Sequence, residues 1–242
     1  MAPPPGYVAY GGYGAVQGNF QKIGGLTKWL VALLGITLVM QALSFVVQFT
    51  LRDAASDYLT NAISNSDFTD DLVVYGLIVL LAAVIGIAQL VILIVWTFRM
   101  AKNHVVLGRQ PQSFSSGATI AVNILGGCTL GILNFFMWKE MWKASDPDVV
   151  PGDPSWKQRP VSPLVPLYLA ITLASVVAGF ALGFSGVGGI SVGGSTDDLA
   201  NNLNDKLGMV ALSSALTIAG PVVFLLLVRQ IATRHMKATR EA

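Results

Sequence analysis

The chain has 242 residues, of which 53% are hydrophobic and only 12% charged, with a mean hydropathy of +0.63 and a net charge of +2. Soluble domains carry about 25% charged residues, so half that charge excludes an ordinary water-soluble globule and points to lipid as the solvent. The single cysteine, Cys128, excludes an intramolecular disulfide and a cysteine-based metal site.

The N-terminal stretch MAPPPGYVAYGGYGAVQGNFQK is rich in Pro, Gly and Tyr and has no periodicity. It offers too little apolar surface to offset chain entropy, so residues 1–25 read as a disordered tail. It does not read as a signal peptide, because no basic start leads directly into a short apolar core and the first apolar run is too long.

A helix that crosses a bilayer needs about 20 mostly apolar residues. Four segments qualify: Trp29–Leu51, Leu72–Phe98, Leu164–Phe184 and Met209–Val228, none with a charged side chain inside it. They form two hairpins, one over 26–108 and one over 163–242 that ends in a basic C-terminus. Pro163 and Pro166 suit the start of the third helix, and Pro221 is expected to kink the fourth. Each hairpin has an acidic outer loop and a basic exit. This likeness fits a duplication about an axis along the membrane normal, or two hairpins that obey the same charge rule. Small residues recur every four positions at Ser175, Gly179 and Gly183 and at Ala211, Ala215 and Ala219. Such faces let helices approach closely in lipid, chiefly within the chain, with self-association as the other use. In the second outer loop, Ser195 with Asp198 three residues on reads as a helix start.

A fifth apolar stretch, Phe114–Trp138, carries Asn123, Asn134 and a GGCTLG centre. The positive-inside bias decides whether it crosses. If it does not, 13 of the 15 basic residues share one side, leaving only Arg52 and Lys206 opposite; if it does, the best split is 9 to 6. The fold class expected is therefore all-α: a polytopic membrane protein with four transmembrane helices in two hairpins, in the plasma (inner) membrane with both termini cytoplasmic. Residues 109–162 form an inner segment, either re-entrant or lying in the interface. It reads as a short helix from Ser116 to Leu125, a break at Gly126–Gly127, and a second helix to Ala144. In that second helix Lys139, Glu140 and Lys143 share one side, and Trp138 and Trp142, one turn apart, read as an interfacial belt.

Between the spans, chemistry is sparse. No ionisable group lies at depth, where catalysis or ion coupling would need one. The intramembrane polar groups are Gln41, Gln48 and Gln89; Gln41, Ser44 and Gln48 share a face and either line a polar path or bond between helices. His104 and His235 sit beyond the basic helix ends and are expected near water or headgroups. No phosphate-binding loop, nucleophile elbow or His-Glu motif occurs. No enzyme activity, cofactor, metal or nucleic-acid partner is expected.

The stretch WTFRMAKNHVVLG, Trp96 to Gly108, closes the second span. Trp96 reads as an interfacial anchor, and Arg99 and Lys102 as the inner boundary. With KEMWKASDP, Lys139 to Pro147, it resembles an uncharacterised family of bacterial multi-span membrane proteins known as domain of unknown function 4328. The likeness covers Leu90 to Pro147 and, more loosely, all four spans. It implies no activity, and it points to Trp96, Arg99, Asn103, Glu140 and Ser145. Glu140, alone among aromatics, is expected either to pair with Arg99, with Asn103 one turn on adding a hydrogen bond, or to face water.

Two functions fit this reading. One is a non-catalytic scaffold or adaptor whose inner platform engages a protein partner or anionic lipid headgroups, each basic residue adding about 1 kcal/mol of attraction. The other is a small transporter or channel subunit built on the Gln-bearing helices. The threading itself is checked with Cys128→Ser and single cysteines. A membrane-impermeant thiol reagent is expected to label positions 64 and 195 on intact cells, and positions 155 and 238 only after lysis. External labelling at 155 would invert the second half.

Overall fold

The computed structural model describes residues 19–184, 195–205 and 207–241. Most of the expected tail, the centre of the second outer loop and Lys206 lie outside them. The described residues form seven helices: α1 (Gly24–Leu59), α2 (Asn65–Val106), α3 (Ser116–Leu125), α4 (Ile132–Ala144), α5 (Leu164–Phe184), α6 (Thr196–Asp205) and α7 (Leu207–Thr239), with short 3-10 turns at Gly127–Thr129 and Pro154–Gln158. Four of them, α1, α2, α5 and α7, are long and apolar enough to cross a membrane. The inner helices fall where the glycine break placed them.

The long helices exceed what a bilayer needs. At 1.5 Å per residue, the 42 residues of α2 span about 63 Å, twice a hydrocarbon core of about 30 Å. The extra length is used differently at the two ends. At the far end, Ser64 starts α2 with a reciprocal cap, its Oγ accepting from the Asp67 N–H while Asp67 accepts from the Ser64 N–H. Ser195 and Asp198 start α6 in the same way, as the spacing predicts. The α6 helix lies across the first hairpin: Ala200 packs with Leu51, Ala55 and Phe68, and the Tyr58 hydroxyl donates to Asp197.

At the other end the chain closes on itself. The Glu241 carboxylate accepts from the backbone N–H of Ile23 (2.9 Å) and Gly24 (2.8 Å). These are free donors of the first turn of α1, where a negative charge also complements the helix dipole. Ile23 is fully buried. The tail expected over 1–25 therefore stops short of residue 25: residues 21–25 are held by a carboxylate and a hydrophobic seat supplied from remote parts of the chain.

Helix contacts run α2–α1–α7–α5, and α2 and α5 are left without extended contact. Through the spans most apolar side chains point outward, as lipid requires: Val39, Leu80, Ile87 and Val177 are more than 60% exposed. The dense core sits instead where α4 meets the bundle, with Leu30, Leu34, Trp96, Met100, Met137, Trp138, Leu227 and Ile231 all nearly inaccessible. The small-residue faces act more weakly than expected. The α5 and α7 helices do pack together, yet a Cβ on Gly179 would meet nothing within 4 Å.

Among the described residues, two glycines are required by space. A Cβ on Gly126 would overlap the Asn134 amide, which fixes the turn between α3 and α4. Gly108 ends α2 at φ +67°, and a Cβ there would lie 2.7 Å from the backbone N of Gly152, whose N–H donates to the Leu107 carbonyl at 3.1 Å. Gly108→Ala is expected to cost about 2–4 kcal/mol, from left-handed strain plus overlap. Gly152→Ala, at φ +84° with open space around it, should cost only about 1–2 kcal/mol. Thermal unfolding of both variants in detergent checks the difference, and equal losses would mean that the close backbone approach is absent.

Candidate functional site

The site grows from one face of α2. Trp96, Met100, Asn103 and His104 follow the i, i+3, i+4 spacing of a single stripe and are all at most 3% exposed. Trp96 is thus no interfacial anchor; its Nε1–H donates to Thr27 Oγ1 on α1 at 2.9 Å, and its ring packs near Trp138. Trp138 is likewise buried and edge-on to Phe224 of α7, so it belongs to the core and not to a belt. Trp142 keeps a half-buried position, donating to the Pro160 carbonyl with the Arg234 guanidinium 4.4 Å above its ring. Trp96 closes an apolar run, but α2 continues past it to Val106, and Trp138 lies midway along α4, so neighbouring helices enclose both rings.

Asn103 organises the polar centre. The Gln21 backbone N–H donates to Asn103 Oδ1 (2.8 Å) and the Gln21 carbonyl accepts from Asn103 Nδ2 (2.9 Å), which fixes the amide orientation. The second Nδ2 hydrogen then donates to His235 Nε2 on α7 at 2.9 Å. That nitrogen must carry a lone pair, so the His235 proton lies on Nδ1. It is positioned to donate to Ser145 Oγ (3.2 Å), on the residue that ends α4, and Ser145 Oγ is hydrogen-bonded in turn with His104 Nε2 (3.1 Å). One chain of hydrogen bonds therefore joins the segment before α1 to α2, α7 and α4. The two imidazoles meet edge-on at 5.1 Å, and both are almost inaccessible. This overturns the expectation that the histidines are solvated: each continues the apolar stripe of its helix.

The loop after α4 is held by a buried cation. Arg109, 1% exposed, donates to the carbonyls of Ala144, Asp146, Val149 and Val150 at 2.7–3.2 Å. Burial pushes its guanidinium below the usual value, and Asp146 and Asp153 pull it back up. Asp153 is itself held below the usual carboxylate range by the Ser155 backbone N–H and hydroxyl. Asp146 Oδ2 lies 2.9 Å from Arg234 Nη2 and 3.2 Å from Arg159 Nε, an ion triad on a carboxylate only 7% exposed.

Arg99 and Glu140 do not pair. Arg99 Nη1 donates to the Lys22 carbonyl at 2.8 Å. Glu140 accepts the backbone N–H groups of Ser113 and Phe114 at 3.0–3.2 Å. Both charges satisfy backbone rather than each other, so each fastens a loop: Arg99 the segment before α1, Glu140 the approach to α3. Among the intramembrane amides, Gln48 links Tyr75 and Ser214, and Gln89 accepts from Thr37. These are bonds between helices. Gln41 makes no such bond through its oxygen.

Between the α3 approach, α4 and the 3-10 turn at 154–158 lies an open cavity of about 360 Å³, lined by Lys139, Lys143, Lys157, Glu140, Trp156 and Phe136 among others. Lys143 Nζ donates to the Lys157 carbonyl and Lys157 stands over the Trp156 ring. The Glu140 carboxylate is already engaged, so this cavity is a basic, partly aromatic surface.

A family profile described as domain of unknown function (DUF4328) matches residues 59–233. The chain belongs to this family. No curated protein and no solved structure matches it. The DUF4328 match takes in α2 through most of α7, and so Asn103, His104, Arg109, Ser145 and Asp146 all fall within it, while His235 lies two residues past its end. It stops short of Gln21, Thr27 and Glu241, the partners that α1 and the C-terminal end bring to the site. Sequence reasoning reached Asn103 and Ser145 but missed Arg109, Asp146 and both histidines. The available signal was register: His104 lies four residues past Met100, and His235 four past Ile231, on stripes already apolar.

Removing the Ser145 hydroxyl strands the facing ring nitrogens of His235 and His104. Ser145→Ala and Asn103→Ala are each expected to lower stability by about 1–3 kcal/mol. Their double variant should fall short of the sum, because both act through the His235 ring. Strict additivity in thermal unfolding would show that the chain of hydrogen bonds is not one unit.

Proposed function

We propose that this protein is a non-catalytic membrane scaffold that holds a rigid platform against the inner surface of the plasma membrane, with both termini cytoplasmic. The charge bias of 13 basic residues against two supports that orientation. The observation that carries the scaffold reading is the basic cavity of Lys139, Lys143 and Lys157 beside lipid-facing Phe136, on a platform whose own polar groups are consumed in holding its shape. Ser145 is enclosed between two imidazoles with no surface of its own, so its hydroxyl is a structural joint and not a nucleophile. The ligand class suited to the cavity is the phosphate-bearing headgroup of an anionic lipid, and a second basic groove along Arg229, Arg234 and Lys237 extends the surface that a protein partner would meet.

Reconstituted protein in nanodiscs of mixed phosphatidylglycerol and phosphatidylcholine is expected to retain phosphatidylglycerol selectively, read by mass spectrometry of bound lipid. Changing Lys139, Lys143 and Lys157 together to Gln should reduce that retention at least tenfold, at about 1 kcal/mol per basic residue. Unchanged retention would sink the lipid-binding part of the reading. A transporter or channel subunit is the second reading, favoured by the cavity beside Gln41 and Gln89. Solute flux into liposomes separates the two, since a scaffold conducts none.

A further inference from the structure

The Asn103 amide is held by the Gln21 backbone at both of its ends, by the N–H at 2.8 Å and by the carbonyl at 2.9 Å. Its remaining hydrogen reaches His235 Nε2 at 2.9 Å, so that nitrogen serves as an acceptor. A protonated imidazole has no acceptor left, because both ring nitrogens carry hydrogen. A proton on His235 Nε2 therefore sets an N–H against the Asn103 NH2. Turning the amide end for end offers the ring an oxygen. The same turn sets NH2 against the Gln21 N–H and oxygen against the Gln21 carbonyl, and both bonds to Gln21 are lost. The docked Gln21 backbone and a charged His235 exclude each other.

The elements packed around the ring do not compensate a charge there. His235 is fully buried. Helix α2 sets the His104 ring edge-on at 5.1 Å, and α4 ends at Ser145, whose Oγ lies 3.2 Å from His235 Nδ1. The buried Arg109 cation follows α2, with its backbone N–H on the His104 carbonyl. Asp146 is engaged by Arg159 and Arg234, and Glu241 by the Ile23 and Gly24 N–H groups. Among the described residues no carboxylate bonds to the His235 ring. Past Gln21 the chain is secured separately, since Arg99 holds the Lys22 carbonyl and Glu241 the next two N–H groups. Loss of the two Asn103 bonds thus loosens the chain only as far as Lys22.

We propose that this arrangement is an acid-sensitive latch: a proton on His235 undocks the Gln21 backbone and frees the chain before Lys22, while the rest of the platform stays closed. The docked form excludes the proton, and the undocked form takes it up in the ordinary imidazole range, about 6.5. Docking is therefore at full strength above that range and weakens as pH falls through it. The latch reads the pH of the side on which the Gln21 segment lies, and it is independent of the lipid reading of the basic cavity.

The Gln21 amide hydrogen is itself one of the latch bonds, so its exchange with solvent measures undocking even when the open form is rare. Exchange is followed residue by residue by mass spectrometry on the full chain in phosphatidylcholine nanodiscs, corrected for the intrinsic exchange rate at each pH. Protection at Gln21 is expected to fall about tenfold between pH 7.5 and pH 5.5, with protection at Ile231 in the core unchanged. His235→Gln keeps an acceptor for Asn103 but does not titrate, and should abolish the fall. Asn103→Asp should abolish it too, because a carboxylate accepts from the protonated ring and from the Gln21 N–H at once. Ile231 protection in both variants separates this outcome from misfolding. Constant Gln21 protection across this range in the unsubstituted protein would overturn the proposal. So would a fall shared equally by Ile231, which is general unfolding, or a fall that survives His235→Gln, which assigns the proton to another group such as His104 or Glu241.

Discussion

The bond on which the rest depends is the one between the Asn103 amide and the backbone of Gln21. A primary amide facing a peptide unit makes two hydrogen bonds at once, so its orientation is not free. Fixing it decides which hydrogen remains for His235 and which nitrogen of His235 is left to donate to Ser145. Four separate pieces of chain are brought into register by that sequence of choices. Asn103, His104, Ser145 and His235 are buried, and a buried donor or acceptor without a partner costs about 1–3 kcal/mol. The network therefore tolerates one arrangement and penalises the others, a stronger constraint than hydrophobic packing alone imposes.

This explains why the dense core lies at one end. Inside a bilayer, burying a leucine between helices gains little, since lipid tails are as apolar as the helix partner. Specific structure must come from shape and from polar bonds. The spans supply a few of these, through Gln48 and Gln89, and are otherwise loosely joined. Where the helices leave the lipid, water restores the hydrophobic drive, and there Trp96, Trp138, Met100 and Leu227 close around the polar chain. The Arg109 guanidinium performs for the loop after α4 what the amide performs for the helices: one rigid fork of donors gathers four carbonyls of a segment with no regular structure.

The parts of this fold that were legible in the sequence are those governed by local rules. The spans follow from runs of apolar residues, the α3–α4 break from two adjacent glycines, and the start of α6 from Ser195 and Asp198. The site was legible only in part. Asn103 and Ser145 could be marked, but their partners could not, since the bonds reach across 82 residues to Gln21 and 90 to His235. The tryptophans and histidines were misplaced for one reason: amphipathic residues at the end of a span suit the membrane interface and a buried core equally well. Helix register, not residue type, decides between them, and the stripe through Met100 and His104 carried that information. For Glu140 the sequence offers a choice between Arg99 and water, and two free N–H groups at the approach to α3 take its carboxylate instead.

The Glu241 carboxylate has a consequence for how such a chain matures. The first turn of α1 is synthesised and inserted long before its cap exists, because the residue that completes it lies 217 positions later. Until then the donors of Ile23 and Gly24 must be satisfied by water, which keeps that end of α1 hydrated and the Gln21 segment loose. Docking of the last helix therefore completes the first. A chain interrupted anywhere before residue 241 leaves its oldest helix unsealed, and so displays at its beginning the fact that it was never finished.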